Sequence, residues 1–458
     1  MKKNLEFEIK GYWWLPGKSE TKFFGEINYR PGEGYVLTAS ELDPTLFDEH
    51  KPSVDIIHGR TFRNEDITLV DCYLIDGSKM WRSDDKKLYE GKYDIDVIIV
   101  GHFFKSLDEI KLHNYSVHYP YLTEWLGLSG FDDRRKPGDD VDIIIRYKRH
   151  ELIIIHSTED LQISFGYGCA TSYAGKHSSR AYIDQTCAVC FQSKKTIPFS
   201  VFRQKNRVLK YLLSFCIGKP LRSESIEGYL ENVDVESKTK SLKIYFNEAD
   251  AVIHTGLSYY EMPILYEDVT QNISILVETW FKKYMQYTAI LDEYFSSLYN
   301  QHIYLEHLFL SMIRVVESYH RVLNLETAVT PQHKLRLKGV FSSVLEEHKE
   351  WLQEKLQFSH EPSLKQRLED IVNKLRNQLL RITGTTEYPF SKIVRTRNYL
   401  THFDPSLKSK AATGGELYKI SQILKKTFEL CFLYELGFSK DQIDDLLKKR
   451  KEYWILRK

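Results

Sequence analysis

The spacing of apolar residues changes once along this chain, near residue 265, and that switch limits the possible folds more than any other feature. Before it, apolar character comes in short runs rich in β-branched and aromatic residues, at 22–29, 66–74, 93–100, 142–147 and 151–156. Pro31-Gly32, Asp76-Gly77 and Pro137-Gly138 punctuate them as turns, so these runs read as strands. Two stretches depart from that texture. Residues 121–128 read as a short helix, and 201–217 as a longer one with Phe202, Leu209, Leu212, Leu213 and Cys216 at helical spacing. After the switch, apolar residues recur every three or four positions over 269–299, 301–323, 333–357, 363–382, 389–402, 415–436 and 440–453. Pro331, Pro362 and Pro389 open helices there, and Pro405 and Gly437 stop them. The expected architecture is multidomain α+β: a β-rich region over 1–265, then an all-α helical bundle over 266–458. A sub-boundary within the first part would fall near 131–140. No period of 20–50 residues repeats, which disfavours a propeller or solenoid.

With 458 residues the chain is too long for one hydrophobic core. A 42% hydrophobic and 28% charged composition excludes a disordered or fibrous protein. No apolar run reaches the ~18 residues of a membrane span, and Glu6 and Glu8 interrupt any signal peptide. Six cysteines do not make a disulfide scaffold in so long a chain, so a cytoplasmic location is expected. The net charge of +1 hides an asymmetry: residues 1–300 carry 37 basic and 44 acidic side chains, and residues 301–458 carry 27 and 19. A basic tail suits a polyanion such as nucleic acid and equally suits a solvated helical surface.

The helix beginning at Pro389 holds the constellation with most chemistry. Phe390, Ile393 and Val394 form an apolar stripe that Leu400 or Thr401 continues, and Arg397 falls on it. A guanidinium there must be paired, face a cleft or meet another chain, because a buried unpaired charge is costly. Asn398 stands beside it. His402 falls near the helix end, since Pro405 disfavours helical geometry at Asp404; carbonyls at a helix C-terminus favour an imidazolium. Arg397 and His402 are five positions apart, roughly 140° around an ideal helix. They would therefore line two edges of a groove or pair with copies across a two-fold axis. Arg395, seven positions before His402, leaves the frame ambiguous, and a structural Arg-Asn-His cluster is the competing reading.

Other constellations are weaker. Cys187 and Cys190 have zinc-knuckle spacing without a second pair, which favours buried thiols. Gly168–Lys176 lacks the glycine and the hydroxyl of a P-loop, with Ala170 and His177 in their places, and 166–180 reads as a mobile loop. Asp132, Asp133, Asp139 and Asp140 read as solvated turn charge rather than metal ligands. Trp13 and Trp14 are expected to straddle a strand, one inward and one outward.

Arg397-Asn398-Tyr399-Leu400-Thr401-His402 resembles the Arg-x4–6-His motif of HEPN ribonucleases, and Glu317 resembles an acidic position on an earlier helix of that family. The segments Gly11-Tyr12-Trp13-Trp14-Leu15-Pro16-Gly17, Ile57-His58-Gly59, Thr68-Leu69-Val70-Asp71-Cys72 and Tyr121-Leu122-Thr123-Glu124-Trp125-Leu126 resemble the β-rich front of ApeA-type anti-phage defence proteins. The resemblance covers nearly the whole chain. It implies a metal-independent endoribonuclease with a HEPN-like bundle, no cofactor and no metal. RNA would be its substrate and a phage-derived molecule its trigger, with no membrane partner, and it would act as a homodimer or higher symmetric oligomer. His402 would serve as general base or acid, Arg397 (or Arg395) would hold the scissile phosphate, and Asn398 would orient either. Tyr399 would stack a base or form wall, and Glu317 would orient Arg397 or close a structural pair. The alternatives are a catalytically silent module that binds a nucleotide or partner, or an interaction protein working through its β-rich region.

Overall fold

The computed structural model describes residues 7–30, 34–41, 52–81, 87–133, 145–173, 181–230, 241–248, 256–300, 302–323, 331–384, 387–451 and 453. Most of the suggested sub-boundary at 131–140, with Asp139 and Asp140, lies outside them, as do 174–180. The chain divides into two compact units: residues 1–259 with 265–278, and residues 260–264 with 279–458.

The first unit is built on antiparallel pairing. Strands β1 (Phe7–Trp14), β2 (Phe23–Arg30), β3 (Gly34–Glu41), β4 (Ser53–Thr61), β5 (Asp66–Trp81) and β6 (Lys87–Val100) run in the order β6-β3-β2-β1-β4-β5. β5 pairs back onto β6, which closes a six-stranded barrel. Closure removes free edges, and inward residues Trp13, Ile27, Leu37, Ile57, Leu69 and Tyr93 fill the inside. β6 is long enough to do two jobs: its first half pairs with β3, and 97–100 pair with a strand outside the barrel, so the pairing continues outward as part of one sheet.

That outer sheet is made by β7 (Lys111–His118), then, after α1 (Leu122–Leu126) and the small β8 (Phe131–Asp133) and β9 (Ile145–Tyr147) ribbon, by β10 (Ile153–Ser157), β11 (Leu161–Tyr173) and β12 (Ala181–Pro198). Helix α2 (Phe199–Ile217) packs against β7 and β12, and β13 (Ser225–Tyr229) and β14 (Leu242–Phe246) join the sheet to β6. The expectation of a loop over 166–180 is corrected here. Residues 166–173 belong to β11, in register with 181–188 of β12. Gly166 is small because a Cβ there would lie 2.8 Å from the Cys190 sulfur, a packing demand rather than a turn.

Three of the four segments that carry the N-terminal resemblance lie on the adjoining barrel strands β1, β4 and β5, and the fourth is α1, which packs on β12. Trp13 pairs across from Gly59, and Trp14 across from His58. A Cβ at Gly59 would sit 2.1 Å from the Trp13 ring, whose Nε1 donates to the Gly25 carbonyl at 3.0 Å. Trp14 does point away from Trp13, but it is buried rather than open, because Phe103 and His58 pack on it edge-on. His58 Nε2 lies 2.7 Å from the Phe104 carbonyl, and the Thr68 hydroxyl bonds the backbone of His102 and Phe104. These motif residues fasten the 102–104 segment over the strand ends.

The second unit is helical. The run at 269–299 is not continuous: α3 (Tyr266–Val269), α4 (Ile273–Gln286) and α5 (Thr288–Tyr299) divide it, and α4 crosses from the first unit into the second at Glu278. α6 (Leu305–Leu323), α7 (Pro331–Ser342), α8 (Glu346–Leu356), α9 (Leu364–Thr383), α10 (Phe390–His402), α11 (Gly414–Glu435) and α12 (Lys440–Lys449) follow. The expected helix at 333–357 is thus two helices. α11 is buried along most of its length and packs on α6 and α9, with Trp280, Phe295, Phe309, Phe428 and Phe432 in the core. Charges lie within it too: Glu429 is 2.9 Å from Lys426 and 3.7 Å from Lys425, and it also accepts from the Tyr294 hydroxyl at 2.7 Å. Among the described residues no helix is long and apolar enough to cross a membrane.

Candidate functional site

Helix α10 contains neither glycine nor proline after Pro389, and it turns Ile393 and Thr396 into the unit. The Thr396 hydroxyl donates to the Lys392 carbonyl and accepts from the Ala412 backbone at 2.9 Å, which ties the returning chain to the helix. α10 ends where expected. Phe403 adopts a left-handed conformation (φ 52°) and its N–H bonds back to the Tyr399 carbonyl, while Asp404 before Pro405 is extended. His402 is therefore the last helical residue, beside unsatisfied carbonyls. Hydrogen bonds from Ser406 hold the Asp404 carboxyl below its ordinary range.

Arg397 is not on the most deeply buried line of α10. Its side chain keeps 32% of its exposure, because Thr396 rather than Arg397 follows Ile393 into the interior. Its guanidinium is nevertheless engaged: Nη1 donates to Asn398 Oδ1 at 3.1 Å and Nη2 lies 3.9 Å from Glu317 Oε2. Glu317, on α6, is the hub. It also stands 3.4 Å from Arg321 and 3.9 Å from Arg367. Glu361 completes the cluster at 2.9 Å from Arg321 and 2.8 Å from Arg367. Three guanidiniums thus meet two carboxylates. Arg367, with a side chain only 5% exposed, further donates to the Pro362 carbonyl and reaches His320 Nδ1 at 3.4 Å. His320 meets Asp370 at 3.1 Å through Nε2. Burial pushes this imidazole below its ordinary value, the Asp370 hydrogen bond opposes that, and Arg367 adds to it.

The structure therefore brings Arg397, Asn398 and Glu317 together and leaves Arg395 and His402 out of that network. Arg395 is exposed and makes no ion pair among the described residues; His402 is exposed with no hydrogen-bond partner among them. Tyr399 packs edge-on against Phe403, centroids 6.3 Å apart. Arg321, Glu361, Arg367 and His320 were not singled out from sequence. The i, i+4 spacing of Glu317 and Arg321 was a usable signal. Nothing local marks Arg367 as buried. His320 also lines a cleft of about 780 Å³, open to solvent, between α6, α9, α11 and the start of α12, with Tyr319, Asp370, Lys374, Tyr434 and Lys440.

Among the described residues the cysteine pair does not gather as a metal site. Cys187 and Cys190, three apart on β12, point to opposite faces. Burial raises both thiols, Cys190 to about 11, and among the described residues no three His, Cys, Asp or Glu side chains gather as a metal centre would require. In the β-rich unit Asp71 holds an unusual positive φ of 51° within β5. Burial and then the nearby Asp96 raise its carboxyl, against the pull of Arg203.

The family model for ApeA N-terminal domain 1 matches residues 8–280, more than half of the chain. The chain belongs to the ApeA family. Its ApeA-like HEPN module matches 310–442, which takes in most of α6 and all of α7 to α11, and with them Glu317 and the whole of α10. No curated protein and no solved structure matches the chain. Membership in the ApeA family, with a HEPN module, supports anti-phage defence by a nuclease.

Proposed function

We propose that this chain is a metal-independent HEPN endoribonuclease whose reaction is run by Arg397 and His402. The observation that carries the reading is α10 itself. It presents a half-exposed guanidinium braced by Glu317 and Asn398, and it ends in an exposed imidazole with no partner among the described residues. RNA supplies its own nucleophile: the 2′-oxygen attacks the adjacent phosphorus, the bond to the 5′-oxygen breaks, and the products are a 2′,3′-cyclic phosphate and a 5′-hydroxyl. His402 takes the 2′-hydroxyl proton or gives one to the departing 5′-oxygen, a role worth about 10²–10⁴-fold in rate. Arg397 binds the phosphate through its free edge as negative charge builds there. Asn398 and Glu317 fix the guanidinium plane, and Tyr399 offers a ring to a base.

The ~140° between Arg397 and His402 on one helix favours a site shared by two copies of the chain, each giving one of the two groups. In this reading the β-rich unit answers a phage-derived trigger, and its acidic surface restrains the basic tail; RNase activity of residues 266–458 no higher than that of the whole chain would count against the restraint. The direct test is to incubate purified protein with total cellular RNA in chelator and analyse the ends. Cyclic-phosphate products that vanish in Arg397→Ala and His402→Ala, with unchanged melting, support the assignment. Undiminished cleavage by both variants refutes it.

A second reading has one observation in its favour. Arg397 already has partners within its own chain, as a purely structural cluster would require. It predicts that Arg397→Ala lowers stability and that the chain shows no cleavage to lose.

A further inference from the structure

Helix α10 closes differently from α1, α2 and α9. Those three end on a glycine in the left-handed conformation, at Gly127, Gly218 and Gly384, where the missing Cβ removes the steric cost. α10 ends in the same conformation on Phe403, at φ 52°. The other non-glycine residues at positive φ among the described ones are Asn64, Asp71 and Tyr121. Short polar side chains such as those of Asn64 and Asp71 tolerate that conformation, and Tyr121 is half-buried. Phe403 gains little from packing: it is 71% exposed, and its ring meets Tyr399 edge-on. A strained backbone that holds an apolar ring in water points to a ligand rather than to the fold.

The surroundings of the ring indicate which ligand. Phe403 directly follows His402, and residues 401–406 are all exposed. Arg395 lies two turns before His402, on the same face of α10. Lys408 and Lys410 follow in the 3-10 turn Pro405–Lys410. These three cations are exposed and form no ion pair among the described residues. The carboxyl of Asp404 accepts from the Ser406 N–H at 2.9 Å and feels the charge of Lys410. We propose that Phe403 is a stacking platform for an unpaired base of single-stranded RNA, seating the nucleotide that flanks the scissile phosphate beside His402. An open aromatic ring among cations suits a splayed base and its phosphates. A duplex keeps its bases stacked inside and offers such a ring only sugar edges and phosphates, so the substrate class is unpaired RNA. The proposal deepens the nuclease reading and rests on it for the place of the scissile phosphate; the contact between ring and base does not require cleavage.

The test uses the full chain and a labelled single-stranded RNA whose 2′-hydroxyls are methylated, so that it has no nucleophile and cannot be cut. Fluorescence anisotropy gives its Kd, and the unmodified strand gives KM and kcat. Phe403→Leu keeps apolar bulk and the strained backbone without a π face, and Phe403→Gly removes both. Each should weaken binding about tenfold and raise KM by a similar factor, with sedimentation unchanged. Phe403→Trp, the conservative variant, should rescue the loss. Phe403→Gly should melt no lower than wild type, because the left-handed strain leaves with the ring. Binding of the same strand in a duplex should not depend on residue 403. A wild-type chain that does not bind the single strand, wild-type affinity in the Leu and Gly variants, or equal losses on single strand and duplex overturns the proposal. So does a lowered melting midpoint in Phe403→Gly, or an altered sedimentation coefficient with RNA binding intact, which would make Phe403 a packing or chain-to-chain contact. If the unmodified strand stays whole while the methylated strand still binds in a Phe403-dependent way, the nuclease reading falls and the stacking platform stands.

Discussion

Replacing Glu317 by Gln keeps the shape of the hub and deletes its charge. At an effective dielectric constant of about 20, a pair of unit charges 3.9 Å apart interacts by about 4 kcal/mol, but solvent takes most of that from the exposed arms. The contacts to Arg321 and Arg397 are each worth under about 1 kcal/mol. The contact to buried Arg367 is less screened, yet Glu361 remains beside that guanidinium at 2.8 Å. Losing a charged partner while a second stays in place gives a net cost of about 2 kcal/mol. For a helical unit of this size that lowers the unfolding midpoint by about 4–8 °C. Thermal unfolding followed by circular dichroism measures it, and the drop should persist at high salt because Arg367 is buried. The same variant, assayed well below its midpoint, should lose about tenfold in RNA cleavage rate if Glu317 sets the Arg397 plane. A midpoint within about 1 °C of wild type would refute the hub argument.

Further outcomes follow from other parts of the molecule. Gly59→Ala drives a methyl into the Trp13 ring at 2.1 Å; overpacking of this kind should cost about 1–3 kcal/mol, read as a lowered denaturant midpoint with the helical unit unaffected. Glu429→Ala leaves Lys426 buried without its carboxylate and should destabilise by about 3–5 kcal/mol, measured by thermal melting. Burial lowers the His320 pKa in the folded chain, so the unfolded chain binds the proton first. The stability tied to this residue is therefore full above about pH 6.5 and falls as pH drops below it. Denaturant titrations at about pH 5.5 and 7.5 should show that His320→Gln flattens this dependence.

What could be foreseen from residue order, and what could not, divides along the range of the interactions. Strands β2, β5 and β10, helices α2, α9 and α10 and the stop at Pro405 all follow from local period and punctuation. Barrel closure depends on β1 finding β4 and on β3 finding β6, long-range choices that no local pattern encodes, whereas β5 and β6 pair as a hairpin. The Gly, Ser, Tyr and basic residues of 166–180 read as a loop, yet 166–173 continue β11: the side chains of Cys190, diagonally across the ladder from Gly166, and of Thr186, directly across from Gly168, occupy the space a Cβ would need. Trp14 reads as half-open until the 102–104 segment folds over it. At the candidate site, Arg397, Asn398 and Glu317 were recognisable by motif. The burial of Arg367 came only with the packing of α9 on α6.

Complementation between two inactive variants tests the shared-site account most directly. Arg397→Ala and His402→Ala should each be unable to cleave RNA in chelator. Mixed in equal amounts and allowed to exchange subunits, they should recover about a quarter of wild-type activity, because half of the dimers are mixed and each holds one intact site. Full cleavage by either variant alone, or a mixture as inactive as its components, would contradict the account.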